Sequence, residues 1–312
     1  MTEIVEGLGA AERERIGALR REQQFVWIDL DLSEASRGDL GELLDLPERI
    51  LQSLLDFGQR APPSRTYRAD SHHVVFGMAC YVGADLRPID LHVLVSGDYV
   101  LTLHEESVSL PSLLTPVLPE ERGKQYVVYT ILESIVVTAF DALYEAELEL
   151  ESLAVIPTNM RTGRVRMATL RMLSSRLSEM RHRISPERGV FDRIAVEIER
   201  IERFGTDDQR YLELIVGQLN RLVDSIDAAA DALAQLINLR LNETTYWLTV
   251  VATIFLPLTF VTGFFGMNFG WMVREINTQL AFWLLGVGSL LVGVALIWSL
   301  VVRGSPVQPD ES

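Results

Sequence analysis

The chain has 312 residues, with 43 Asp plus Glu against 28 Lys plus Arg, a formal net charge of −15. That balance excludes nucleic acid as a main partner, because gripping phosphate backbones takes a basic surface. A single cysteine, Cys80, excludes an intrachain disulfide and any thiolate zinc cluster. Mean hydropathy is nonetheless positive, so charge and apolar residues occupy different stretches.

Residues 1–21, MTEIVEGLGAAERERIGALRR, are charged and amphipathic and lack the apolar centre of a secretory signal. The run FVWID within 24–31 is predicted to be a strand, and 43–57 a helix with Pro47 near its start. APPS at 61–64 is a turn. The runs 73–81, 89–95 and 99–104 are β-branched and aromatic, bounded by Gly, Asp and Pro, which is the pattern of a small sheet. Gly97-Asp98 is the expected hairpin turn. Residues 1–120 are therefore expected to form an α/β domain, so that the soluble part as a whole is α+β. Helices follow over 124–154, 165–183 and 188–204, broken by Pro157, Gly163 and Pro186, and make a helical region over 121–204. Five acids between Asp141 and Glu151 read either as a solvated face or as a cation-attracting surface.

Thr206-Asp207-Asp208-Gln209 fits a capping box, and no proline follows until Pro257, so one helix is predicted over 207–264. Leu212, Ile215, Leu219, Leu222, Ile226, Leu233 and Leu236 form its packing stripe. A second stripe is polar: Asn220, Asp224, Asp227, Asp231, Gln235, Asn238 and Asn242. The same face continues through Thr245, Leu248 with Thr249, Ala252, Leu256, Thr259 and Gly263. One copy of this helix would show polar groups to solvent; several copies around an axis would line a conduit.

Two uncharged apolar stretches, 246–265 and 280–302, are each long enough to cross a bilayer, which takes about 20 helical residues. Residues 243–312 hold only Glu243, Glu275, Asp310 and Glu311 against Arg274 and Arg303. Taking these from the totals of 43 and 28 leaves 39 acids and 26 bases, net −13, on residues 1–242. A large acidic domain made before the first span is expected to stay on the side of synthesis, with two spans returning the C-terminus there. Both termini are thus expected to be cytoplasmic, and Arg240 and Arg303 on the inner flanks agree. The five histidines have no zinc-ligand spacing. No GxxxxGK, HExxH or GxSxG motif marks an anchored enzyme, so no enzymatic activity and no organic cofactor are expected.

The first span ends in Gly266-Met267-Asn268. This resembles the Gly-Met-Asn signature of the CorA family of divalent-cation channels. The likeness extends upstream through Leu248-Thr249 and 252–260, and more loosely to Trp27-Ile28-Asp29 and to YVLTLHE at 99–105. The resemblance implies a CorA-like funnel: a homopentamer in the bacterial cytoplasmic (inner) membrane, conducting Mg2+ inward with Co2+ and Ni2+ as alternatives. It assigns 205–265 to a stalk helix continuous with the pore span and 266–279 to an external loop. The second span is then 280–303 and the cytoplasmic tail 304–312. Gly266, Met267 and Asn268 become the selectivity filter at the outer mouth. Asn242, Thr245, Leu248, Leu256 and Thr259 become pore-lining, joined by Asp231, Asn238 and Thr249 on the same stripe. Channels of this kind close when cytoplasmic Mg2+ binds carboxylates between subunits, and counting back from Asn242 points to Asp207 and Asp208. Thr245 stands where many relatives carry a bulky apolar gate residue, and the tail lacks their basic cluster. The alternative is Zn2+ transport of the related ZntB type, with or without coupling to protons, although Met267 favours the CorA side.

Overall fold

The computed structural model describes residues 3–32, 37–56, 67–82, 87–104, 109–114, 123–155, 163–202, 204, 211–267, 270, 278–288, 291–295 and 299. Contacts divide the chain into two compact units, 1–233 and 234–312.

The first unit is built on a six-stranded sheet. Strands β1 (Glu3–Glu6) and β2 (Val26–Asp31) are joined by helix α1 (Ala10–Arg21). Helices α2 (Arg37–Leu44) and α3 (Glu48–Asp56) precede strands β3 (Tyr67–Ala69), β4 (His73–Val82), β5 (Arg87–Ser96) and β6 (Tyr99–His104). The order is β1-β2-β6-β5-β4-β3, parallel at β1-β2 and β2-β6 and antiparallel elsewhere. Strands β5 and β6 are joined through Gly97-Asp98, as the sequence predicts. Val26, Ile28, Leu30, Leu101 and Leu103 pack in one core with Ile16 and Leu19 of α1, Leu40 and Leu44 of α2, and Ile50 and Leu54 of α3.

After the short helix α4 (Leu110–Leu114) come α5 (Lys124–Val155) and α6 (Gly163–Glu199), both of which pack on β4. By length and hydropathy, Lys124–Ala154 also qualifies as a membrane span, but 61% of its apolar window is buried inside the unit, which makes it a core helix. In Tyr211–Phe264 the corresponding window is 0% buried.

Two expectations are corrected, and one strand is an addition. Within the charged N-terminal segment Glu3–Glu6 forms β1, because the edge of β2 offers backbone partners that the local sequence does not reveal. The helix expected over 43–57 is two helices, separated where Asp45 takes a positive φ of 54° and Pro47 precedes α3. Pro186 does not break a helix but lies inside α6. A proline in a helix interior costs about 3 kcal/mol, and burial of Met180 and Ile184 before it and of Phe191, Ile194 and Ile198 after it offsets that cost.

Trp27-Ile28-Asp29 lies beside Tyr99–His104, paired in parallel register. Between the two strands runs a buried polar chain. Trp27 Nε1 donates to Thr102 Oγ1 (3.0 Å), which donates to Asp29 Oδ1 (2.5 Å). Asp29 Oδ2 accepts from Leu110 N (3.0 Å) at the start of α4, and His104 Nε2 lies 3.4 Å from Oδ1. Asp29 is 4% exposed. Deleting it leaves buried donors without an acceptor, so Asp29→Ala is expected to cost about 3 kcal/mol of stability and Asp29→Asn less. Thermal unfolding of the detergent-solubilised chain measures both.

Helix α7 (Tyr211–Phe265) is one 55-residue helix with Pro257 inside it. Beyond it, Gln279–Ala281 is helical and continues as a π-helical stretch, Phe282–Gly288.

Candidate ion pathway

The two stripes of α7 separate as their spacing requires. Leu212, Ile215, Leu219, Leu222, Ile226 and Leu233 are buried, and Leu236 is half-buried. On the polar stripe Asn220, Asp224, Asp231, Gln235, Asn238 and Asn242 are exposed. Asp227 departs from that pattern. It is held by α6, with Arg181 Nε 2.6 Å from its Oδ1, a link between residues 46 apart that no local pattern announces.

Further along α7 the candidate lining residues Thr245, Leu248, Thr249, Leu256 and Thr259 are all exposed, Leu248 at 70% and Leu256 at 74%. One shallow groove is lined by Leu248, Thr249, Ala252, Thr253, Leu256 and Pro257. The structure thus brings Leu248, Thr249 and Leu256 together on one surface and adds Thr253, which the sequence reading passed over although it stands four residues after Thr249.

The hydroxyls on this stretch are oriented by the helix itself. Thr245 Oγ1 donates to Leu241 O, Thr249 to Thr245 O, Thr253 to Thr249 O and Thr259 to Phe255 O, all at 2.8–2.9 Å. Each hydroxyl proton is committed to the backbone, so each oxygen is left to act as an acceptor. Acceptor oxygens are what a hydrated cation wants, since its bound waters present hydrogens outward. Pro257 has no N–H, so the helical bond to the Thr253 carbonyl is missing and another acceptor is released.

The helix ends in a tight turn at the signature. Gly266 N donates to Thr262 O (3.0 Å) and Met267 N to Phe264 O (3.2 Å). A Cβ at Gly266 would lie 3.1 Å from the Thr262 carbonyl oxygen and 3.4 Å from that of Gly263, a crowding that favours glycine at this place. Asn268, and Asp207 and Asp208 at the other end, lie outside the described residues. Among the described residues no three His, Cys, Asp or Glu side chains converge on a metal position.

A family model for the CorA-like Mg2+ transporter protein matches residues 22–303. The complete structure of the CorA magnesium transporter from Methanocaldococcus jannaschii aligns with a TM-score of 0.55 and 20% identity, over 90% of this chain and 91% of that one. The full-length CmaX protein aligns at 0.55 and 19% identity, over 89% and 87%. The cytoplasmic domain of ZntB from Vibrio parahaemolyticus aligns at 0.56 and 12% identity, over 70% of this chain and 88% of that domain. At these identities the likeness to the three structures establishes the fold. The extent of the family match establishes membership: the chain belongs to the CorA-like family of divalent-cation transporters.

Proposed function

We propose that this chain is a homopentameric channel in the bacterial cytoplasmic membrane that admits Mg2+, with Co2+ and Ni2+ as alternatives, and that cytoplasmic Mg2+ closes it. The observation that carries this reading is the exposed face of α7, where outward-facing hydroxyl oxygens and two leucines share a stripe that ends at Gly266-Met267-Asn268. Mg2+ sheds its waters reluctantly and is held well only in near-octahedral oxygen geometry. A ring of Asn268 carboxamides would grip the waters rather than the bare ion, tightly enough to select and loosely enough to release. Thr259, Thr249 and Thr245 would pass the hydrated ion inward, and Asn242, Asn238 and Asp231 would line its exit. Two charges falling through 100 mV gain roughly 4.6 kcal/mol, which drives entry. Asp207 and Asp208 are the proposed regulatory Mg2+ ligands, opposite an acid of the neighbouring subunit.

The test is a dye-based uptake panel in liposomes, with Mg2+, Co2+, Ni2+ and Zn2+, with and without a membrane potential and a pH gradient. Potential-driven Mg2+ uptake is expected. Zn2+ uptake that needs a proton gradient would replace this reading by the ZntB type.

A further inference from the structure

Helix α6 carries a carboxylic acid on its buried face. Met180, Ile184, Phe191, Ile194 and Ile198 are all buried, and Glu187 falls into the same series of three- and four-residue steps at 4% exposure. Its partner is a backbone group. Among the described residues, strand β3 pairs with β4 over Val74, Val75 and Phe76. Beyond that point two N–H groups of β4 are taken by helix side chains. Ala79 N donates to Glu187 Oε1 (2.8 Å), and Tyr81 N donates to Thr138 Oγ1 of α5 (3.0 Å). One carboxyl of α6 and one hydroxyl of α5 thus hold these two backbone groups of β4.

The charges around Glu187 do not favour its ionised form. From β5 it faces Asp90, and from β4 it faces Tyr81, whose buried hydroxyl has no hydrogen-bond partner among the described residues. On α6 itself the neighbouring cation is Arg183, but that guanidinium is engaged with two other acids, Asp90 (Nη1–Oδ1 2.5 Å) and Glu179 (Nε–Oε1 3.3 Å). On β3, Arg68 is turned to Ser53, and α5 offers the neutral Thr138. A buried carboxylate without a cation of its own is costly: burial, with Asp90 beside it, outweighs the Ala79 N–H and Arg183, which favour the ionised form, so the neutral acid prevails.

We propose that Glu187 is a proton-binding site that latches the second half of α6 to β4, and that loss of the proton loosens this latch. The helix is built to yield there. Pro186, immediately before Glu187, removes the helical bond to the His182 carbonyl, so the half that follows can swing without unravelling the half that precedes. The half that swings is the one that leads, in sequence, toward α7. A bearing on transport rests on the proposed function; the latch itself does not.

The direction follows from linkage. Burial holds the Glu187 carboxyl up at about 8, against the ordinary carboxylate range once it is released to water. Opening therefore gives up a proton at any pH between those limits, and becomes easier by about tenfold per pH unit as pH rises, levelling off above about 8. The experiment is hydrogen exchange by mass spectrometry on the full chain in detergent from pH 6 to 9, corrected for intrinsic rates. Protection of the segments containing Ala79–Tyr81 and 187–198 is expected to fall about a hundredfold from pH 6 to 8 and then flatten. Glu187→Gln keeps an acceptor for Ala79 N and cannot ionise, so its protection is expected to stay flat across the range. Thr138→Val removes the neighbouring acceptor, which does not titrate, and is expected to lower protection at every pH while keeping the same fall. A wild-type profile that is flat, or a Gln variant that falls like wild type, overturns the proposal.

Discussion

Asn268→Ala is expected to reduce Mg2+ uptake by roughly a hundredfold while leaving the oligomer intact on size exclusion. Each carboxamide that meets a cation's water makes a charge-assisted hydrogen bond of about 1.5–3 kcal/mol. A ring loses several of these at once when the side chain is cut back to a methyl. Alanine offers no replacement oxygen, so the hydrated ion meets an apolar mouth. The local frame should survive the change, because the turn is made by Gly266 and Met267 bonding to Thr262 and Phe264, neither of which involves the Asn side chain. Asn268→Asp distinguishes capture from release. A carboxylate is expected to raise affinity for the ion and slow its passage, so uptake should saturate at lower Mg2+ with a lower maximum. Undiminished uptake by an intact Ala variant would remove Asn268 from the filter.

Much of this arrangement can be read from residues alone, for identifiable reasons. Strands β2, β4, β5 and β6 announce themselves because runs such as VWID, HVVFGMACY and YVLTLH are dense in β-branched and aromatic residues and end at Gly, Asp or Pro. The two stripes of α7 follow from helical spacing and need no tertiary information. Strand β1 is different: four residues, Glu-Ile-Val-Glu, become a strand only because β2 lies alongside. Pro186 misleads because a local rule yields to packing on both sides of it. The pairing of Arg181 with Asp227 depends on where two helices meet, which spacing within either one does not give. Glu187 was legible in principle, since it sits in register with Ile184 and Phe191, but its backbone partner on β4 was not. The hydroxyl directions on α7 also needed the backbone: the sequence shows threonines, and only the helix shows their protons turned inward to carbonyls four residues back. For the proposed sensor residues Asp207 and Asp208 the sequence remains the whole argument.

Replacing Leu248 and Leu256 together by Ser is expected to give a channel that stays conductive when internal Mg2+ reaches millimolar levels. Both side chains are exposed on one groove of α7, at 70% and 74%, two turns apart. In a ring of subunits each would become an apolar collar. A narrow collar of this kind closes by shedding water, because a hydrated divalent ion cannot cross a dry constriction without losing its shell. The serine hydroxyl is smaller and accepts hydrogen bonds, so it keeps the column wet at either spacing of the helices. Thr245, one turn before Leu248, would supply hydroxyls at the proposed inner end, which leaves these two leucines as the proposed barrier. Flux at millimolar internal Mg2+ should therefore exceed wild type by about tenfold or more, the effect of roughly 1.4 kcal/mol removed from the barrier. Flux at low internal Mg2+ should change much less, since the open state is wet in both. The converse substitution, Thr245→Leu, adds a third collar and is expected to close the channel at lower internal Mg2+. Proteoliposome uptake at graded internal Mg2+ measures all three. If the double Ser variant closes as steeply as wild type, the leucines pack against lipid or neighbouring helices and the barrier lies elsewhere on α7.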